Sequence, residues 1–378
     1  MRRSIAVLCC LLMGVVDVAL GQTNPNAKGA GVGIETNMFY GNMLKHTSAL
    51  TGPIAKDCYG VDVNLTIKTY GRKAWEELRN YPTFGIGISY LNYNNPSVYG
   101  FAIGINPNIT LPLISRPKFE TTFRIGMGVG FVSKHYSLKS DGNTDNLAIG
   151  GHANNVSPMF LDARWKVNMH WHLQAGLNLT HISNASFQQP NLGTNIWGAH
   201  VGFRYFPVTG DPIKIRRAVK PTFRNNFVVT AKASLAFKES TTSDGPLYTT
   251  YIGTLSVGKR FASKNKVYAG VDYHYSPYKY AFLKSIGNPP NSKHEAAGQT
   301  AVFAGIEFFF NRVAIVGQMG YYVQQSTGQT EPLYQKIGAN YYFIRNEKGV
   351  FKEVFFSALL KTHMATAELF EMGIGVSF

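Results

Sequence analysis

The sequence predicts an all-β protein, a transmembrane antiparallel β-barrel of the outer-membrane type, and three observations carry that prediction. Segments of strict alternation recur from residue 31 to residue 378, with apolar side chains on one parity and glycine, polar or charged side chains on the other. Successive side chains of a strand point to opposite faces, so the alternation describes a sheet with one greasy face and one wet face. Many segments run about 10 to 14 residues, the length a tilted strand needs to cross a bilayer. The last register, Phe370, Met372, Ile374, Val376 and Phe378, ends on an aromatic residue, as the assembly signal of outer-membrane barrels does. A mean hydropathy of −0.09 fits the same architecture, because every second residue of a membrane barrel faces a polar interior. A soluble sandwich also alternates, but its polar face meets water and seldom carries so much glycine.

Residues 1–21 read as a cleaved secretory signal peptide, with Arg2 and Arg3 as the charged start, Ile5 to Val16 as the apolar stretch and Ala19-Leu20-Gly21 as the cleavage site. Cys9 and Cys10 leave with it, so Cys58 remains alone, no internal disulfide can form, and Cys58 is expected in a loop.

The strands follow in order. Weak alternation over 31–41 precedes Val61, Val63, Leu65 and Ile67, then Phe84 to Tyr90, Tyr99 to Ile105 and the longer set Phe119 to Phe131. Leu161 to Val167, the strand from His172 and the strand from Asn195 complete the first half. Segments 227–237, 247–260, 267–275, 302–310, 313–323, 337–343, 353–363 and 370–378 make the second. The total is about sixteen, an even number as bacterial barrels require. Long connections at 42–58, 133–157 and 277–296 fall on one side, and short ones around His170 and Asn311 on the other. This is the asymmetry of extracellular loops and periplasmic turns. The organisation read from the chain is a barrel half at 22–206, a Pro- and Arg-rich connecting segment at 207–223, and a second set of strands at 224–378. A single ring of about sixteen strands is preferred over an eight-stranded barrel followed by a second β unit, since two closed barrels in one chain are unusual.

The formal charge of +16 does not indicate nucleic acid. No recognition motif accompanies it, and most clustered positives fall at predicted inner turns, where lipid headgroups or periplasmic polyanions are nearer. No His, Asp or Glu cluster has metal-ligand spacing, and no cofactor is implied.

Chemistry concentrates at 172–205. Leu173, Ala175, Leu177 and Leu179 share one face of a strand, and the same parity continues into His181 and Ser183. A histidine and a serine therefore sit two apart on the greasy, outward side, near the extracellular rim. A bare histidine in lipid is costly, so the placement points to an interfacial position or a function. An imidazole beside a hydroxyl can take its proton as the oxygen attacks an ester carbonyl. Antiparallel pairing brings Asn195, at the start of the next strand, beside His181, where its side-chain oxygen can hold the second ring nitrogen. A second His-x-Ser, His274-Tyr275-Ser276, has the parity of the lumen.

The run His181-Ile182-Ser183-Asn184-Ala185, followed by Gln189-Pro190-Asn191-Leu192-Gly193, resembles the outer-membrane lipid A 3-O-deacylases, grouped with acyloxyacyl hydrolases of Gram-negative bacteria. That family carries His-x-Ser-Asn-Ala and then Pro-Asn-x-Gly. The resemblance implies an eight-stranded barrel with a membrane-facing active site on its last two strands, at the outer end. It makes Ser183 the nucleophile and His181 the general base, with Asn191 and the backbone N–H of Ser186 forming the oxyanion hole and Asn184 in support. The family has Gly where Ser186 stands and Glu where Asn195 stands, and its barrel would end near Phe206. Two functions follow as expectations. One is an outer-membrane serine esterase removing an ester-linked acyl chain from lipid A or a related outer-leaflet lipid. The alternative is a non-catalytic pore or structural barrel with a degenerate site, its lumen hydrated by residues such as Asp62, Arg124, Asp162 and Asp272. The expected partners are the membrane, that lipid and, through Phe378, the barrel assembly machinery; nucleic acid is not among them.

Overall fold

The computed structural model describes residues 31–208 and 227–378, apart from 72, 140–141, 241–242, 262–263, 289–291, 325–330, 347–348 and 364–365. The predicted signal peptide and most of the 207–223 segment lie outside the described residues.

Strand β1 (Val32–Met43) pairs β2 (Cys58–Lys68), which pairs β3 (Thr83–Asn95), and β3 pairs β4 (Gly100–Ser115). The next position in the sheet is shared by β5 (Phe119–Gly126) and β6 (Gly128–Val132), both of which bridge β4 and β7 (Ala153–Lys166). Then come β8 (Trp171–Ser183) and β9 (Thr194–Tyr205), and β9 pairs back onto β1. The ring therefore closes on eight positions, every pairing antiparallel.

A second ring runs in simple chain order and is closed by pairing of its first and last strands, β10 and β17. Its members are β10 (Phe227–Glu239), β11 (Leu247–Phe261), β12 (Asn265–Tyr275), β13 (Gly298–Phe310), β14 (Val313–Gln324), β15 (Leu333–Arg345), β16 (Glu353–His363) and β17 (Thr366–Ser377). The all-β, outer-membrane barrel class holds, and so does the count of about sixteen if β5 and β6 are taken as one interrupted strand. The preference for one large ring does not hold: the chain closes twice, because β9 finds its partner in β1 rather than in β10. Among the described residues no helix is long and apolar enough to span a membrane.

Each ring turns apolar side chains outward and charge inward. In the first, Met38, Leu65, Ile88, Leu177 and Val201 are exposed, as lipid-facing positions are. Trp165 and Trp171 flank the inner end of that face and Tyr40, Tyr59, Tyr90 and Trp197 the outer end, an aromatic belt at each interface. Inside, Glu35 accepts from Arg164 Nη2 at 3.0 Å and from Arg204 Nε at 3.0 Å, with Arg124 Nη1 3.3 Å away. Asp162 is held by Arg164 at 3.0 Å and His200 at 2.9 Å. The second ring repeats the device with Asp272–Lys336 at 2.8 Å, Glu371–Lys232 at 2.7 Å and Glu353–Arg260 at 2.7 Å. All of these side chains but the partly exposed Lys232 are buried. A charge out of water is tolerated only when paired and hydrogen-bonded, so both interiors are cross-linked solids rather than open channels.

The outer mouth of the first ring is filled by an apolar cluster that includes Phe39, Leu50, Tyr93, Tyr99, Ile149, Ile182 and Ile196, with Leu192 packed against it. Leu50 and Ile149 come from connections that fold inward over the mouth. Cys58 belongs to this cluster as the first residue of β2 and is fully buried, with its thiol 3.6 Å from the Tyr93 carbonyl. The loop expected there ends before it, since Cys58 already pairs with Gly41 of β1.

Candidate active site

Three residues meet on the outward face of β8 and β9, at the outer rim. In β8 the inward positions His172, Gln174, Asn178, Thr180 and Ile182 are buried, and the outward positions run from Leu173 through Leu177 and Leu179 to His181 and Ser183. The antiparallel register sets His181 directly opposite Asn195. Ile182 and Ile196, one residue along each strand, are 1% and 0% exposed in the apolar cluster of the mouth. They anchor the backbone from inside while their neighbours face outward.

The result is a short relay. Ser183 Oγ lies 2.8 Å from His181 Nε2, and His181 Nδ1 lies 2.8 Å from Asn195 Oδ1. Both are within the range of well-formed hydrogen bonds. Asn195 is further fixed through its backbone, whose carbonyl accepts from Leu44 N at 2.8 Å. The level of the site follows from the belt: Trp197, the last outward aromatic of β9, stands two residues below Asn195. The relay therefore stands beyond this aromatic residue, at the loop end of the strand.

Beyond β8 the chain turns through Asn184 to Gly193. Asn191 Oδ1 accepts from the backbone N–H of Asn184 at 2.8 Å, which ties the turn to the residue after the serine. Asn191 is buried, and its Nδ2 has no hydrogen-bond partner among the described residues. Burying an amide donor unpaired costs free energy, so this N–H2 is a donor in want of an acceptor. Gly193 has φ +77°, and a Cβ there would stand 3.1 Å from His181 Cε1 and 3.3 Å from Ser183 Cβ. The position needs glycine for backbone and for space.

Ala185–Pro190 is grouped with the second unit. Within it, Ser186 Oγ donates to the Ala367 carbonyl at 3.2 Å and the Ser186 carbonyl accepts from Glu239 N at 3.0 Å. Ser186 has φ +62°, a left-handed conformation that glycine adopts most readily, which accounts physically for glycine at this position in the resembled family.

The register adds residues that sequence reasoning missed. Asn155 pairs Ser183 and Ser157 pairs His181 across β7 and β8. Both share the outward parity of Leu161, and Ser157 Oγ donates to Asn155 Oδ1 at 2.6 Å. They extend the polar patch sideways. Their signal was the parity of Leu161 carried back through Met159, hidden because the strand was expected to begin at Leu161. His46, in the β1–β2 connection, places Nε2 2.9 Å from the Leu192 carbonyl; no periodicity could have shown this. The second His-x-Ser is inert by comparison: His274 and Ser276 are buried in the other ring, with Ser276 Oγ 3.0 Å from Thr250 Oγ1. Among the described residues no group of three or more His, Cys, Asp and Glu side chains could hold a metal ion.

Comparison with known proteins places these elements in a family. Residues 59–204 match the lipid A 3-O-deacylase (PagL) family, and residues 223–378 match the acyloxyacyl hydrolase C-terminal domain. Among solved structures, the outer membrane enzyme PagL aligns at 14% identity with a TM-score of 0.31, covering 45% of this chain and 97% of that one. Neisserial surface protein A aligns at 9% identity and a TM-score of 0.31, covering 47% and 97%. The NanC porin aligns at 8% identity and a TM-score of 0.17, covering 92% and 98%. A comparison with curated proteins finds no match. The first match contains the whole His181–Asn195 relay and the second contains all of β10 to β17; the chain belongs to the lipid A 3-O-deacylase and acyloxyacyl hydrolase family, carboxylic ester hydrolases of the outer membrane.

Proposed function

We propose that this protein is an outer-membrane lipid A deacylase that works as a serine esterase at the outer-leaflet interface. The observation that carries the reading is the Ser183–His181–Asn195 relay on the lipid-facing side of the wall. A nucleophile so placed can serve only a substrate that lies in the membrane, which an ester-linked acyl chain of lipid A does.

In this mechanism His181 carries its proton on Nδ1 and donates it to Asn195 Oδ1, leaving Nε2 as the base. Ser183 Oγ attacks the ester carbonyl and His181 Nε2 takes the hydroxyl proton. The carbonyl oxygen becomes an oxyanion, received by the Asn191 Nδ2, which has no partner among the described residues. Asn184 supports the hole through its own N–H, which orients the Asn191 side chain. Collapse expels the sugar alkoxide, which leaves with the proton from His181. Water, deprotonated by the same imidazole, then releases the fatty acid from Ser183. The family's activity points to the 3-O-linked acyl chain as the one removed. Delivery belongs to the same reading: export by the cleaved segment 1–21 and insertion aided by the assembly machinery, supported by the outward apolar register of β17 up to Phe378.

The test is the mass of lipid A extracted from Gram-negative cells expressing the chain. Loss of one hydroxyacyl group, abolished by Ser183→Ala and by His181→Ala in folded protein, supports the reading. Unchanged lipid A with a correctly folded wild-type barrel would instead leave a non-catalytic barrel.

A further inference from the structure

The connection between β1 and β2, residues 44–57, takes no part in the esterase chemistry, yet it holds the turn beside the relay. Its first residue, Leu44, donates its N–H to the Asn195 carbonyl at 2.8 Å. Further along, Leu50 is fully buried in the apolar cluster of the mouth. Between these two anchors stands the half-buried His46, with Nε2 2.9 Å from the Leu192 carbonyl and Nδ1 3.4 Å from the Leu44 carbonyl. A carbonyl oxygen only accepts, so the shorter and better contact is made by a proton on Nε2.

Leu192 lies where a small displacement of the turn does most harm. Its carbonyl belongs to the peptide that leads into Gly193, and the N–H of that peptide donates to the Ala148 carbonyl at 2.9 Å. The two polar ends of one peptide are thus tied to two different outer connections, the oxygen to His46 and the nitrogen to Ala148. Before it comes Asn191, whose amide serves the oxyanion. After it comes Gly193, packed so closely that a Cβ would stand 3.1 Å from His181 Cε1 and 3.3 Å from Ser183 Cβ. The orientation of this one peptide therefore bears on the donor and on the base together. The ties from Leu44 and Ala148 run through backbone and survive substitution, whereas that from His46 is made by a side chain. Thr194 is separately held from inside, its Oγ1 2.9 Å from Tyr93 Oη, so loss of His46 should loosen the turn and leave the start of β9 in place.

We propose that His46 is a positioning residue for the esterase reaction: by donating to the Leu192 carbonyl it keeps the Asn191 amide and the Gly193 backbone where Ser183 and His181 need them. This rests on the esterase reading above. His46 hydrogen-bonds the turn and not the relay itself, so it acts through the backbone. Its contribution belongs to turnover rather than to substrate binding. The position requires a donor more than a ring. A glutamine amide extends about as far as the Nε2 of a histidine and donates in the same place; alanine has nothing to donate.

The experiment uses the full chain in detergent micelles, with folding checked by heat-modifiable migration on gels and rates expressed per folded molecule. Acyl release from lipid A is followed by mass spectrometry. His46→Ala should lower kcat about tenfold, the worth of one net hydrogen bond, with KM changed by less than about twofold. His46→Gln should stay within about threefold of the wild-type kcat. His46→Asn, whose shorter amide falls short of Leu192, should behave as the alanine variant and stands in for it if alanine does not fold. Hydrogen exchange read by mass spectrometry over residues 190–196 reports the turn without any chemistry: the Gly193 amide should exchange faster in His46→Ala and at the wild-type rate in His46→Gln. An unchanged kcat in folded His46→Ala protein overturns the proposal, even where its folded fraction falls, because the role is then structural only. Equal losses in the alanine and glutamine variants overturn it too, since the bulk of the ring would then be the cause. Wild-type protein that leaves lipid A intact sinks the esterase reading instead; the exchange rates then decide alone whether His46 holds the turn, and equal rates in wild type and His46→Ala show that it does not.

Discussion

Replacing Asn195 by aspartate tests the relay at its weakest link. Asp is isosteric with Asn, so the 2.8 Å contact to His181 Nδ1 survives while its acceptor gains a full negative charge. During attack His181 becomes an imidazolium, and only then does the charge at 195 matter. A neutral hydrogen bond contributes about 1 kcal/mol net and one to a charged group about 1.5–3 kcal/mol. The transition state should therefore gain about 1–2 kcal/mol relative to a ground state with neutral imidazole, which is roughly a five- to thirtyfold rise in rate. The assay is the initial rate of hydroxyacyl release from lipid A in micelles, followed by mass spectrometry. KM should change little, because the substrate touches Ser183 rather than residue 195. Asn195→Glu, the residue of the resembled family, carries an extra methylene that must fold back to keep the contact, and should gain as much or less. A folded Asn195→Asp protein no faster than wild type would refute the idea that imidazolium formation limits the reaction.

Three further outcomes follow from the same geometry. Asn191→Asp keeps the acceptor for Asn184 N–H but loses the Nδ2 donor, and should lower kcat about 10²- to 10³-fold; kinetics equal to wild type would remove Asn191 from the oxyanion hole. Gly193→Ala puts a Cβ 3.1 Å from His181 Cε1 at a residue with φ +77°, and should cost about 1 kcal/mol of stability together with a fall in the same rate assay. Arg164→Met strips the 3.0 Å contacts to Glu35 and Asp162, leaving buried carboxylates short of charge, and should destabilise the first ring by about 3–5 kcal/mol. Urea titration followed by gel migration measures that loss, and the folded fraction should still release acyl chains at the wild-type rate per molecule.

Much of this was legible in the chain because strand parity is a local rule. The outward faces of His181, Ser183 and Asn195, the lumenal Asp62, Arg124, Asp162 and Asp272, and the inert His274 copy all follow from counting by twos. What parity cannot show is which strand lies beside which. The double closure depends on Tyr205 pairing with Ile34, a contact between residues far apart in the chain with no sequence mark of its own. Strand ends were also hard to see: β7 begins at Ala153, and Asn155 and Ser157 looked like loop because polar outward residues mimic a turn. Cys58, expected in the loop, stands one residue inside the boundary of β2. The fold of the 184–193 turn and the inward-folding connections rest on tertiary packing of Leu50, Ile149 and Leu192, which no periodicity records.

The ion pairs of the two interiors also bear on how each wall is made. Lys232 sits on β10 and Glu371 on β17, the first and last strands of their ring, and Glu35 and Arg204 sit on β1 and β9, the first and last of theirs. Each pair spans the seam. While a sheet is still open the ion pairs that Lys232 and Arg204 make across the gap are unformed, and a bare charge at membrane depth is strongly unfavourable. Neutralisation and zipping of the seam are therefore one event. An unsealed sheet stays expensive to hold in the bilayer, and each ring carries at its own join the electrostatic reason to seal onto itself.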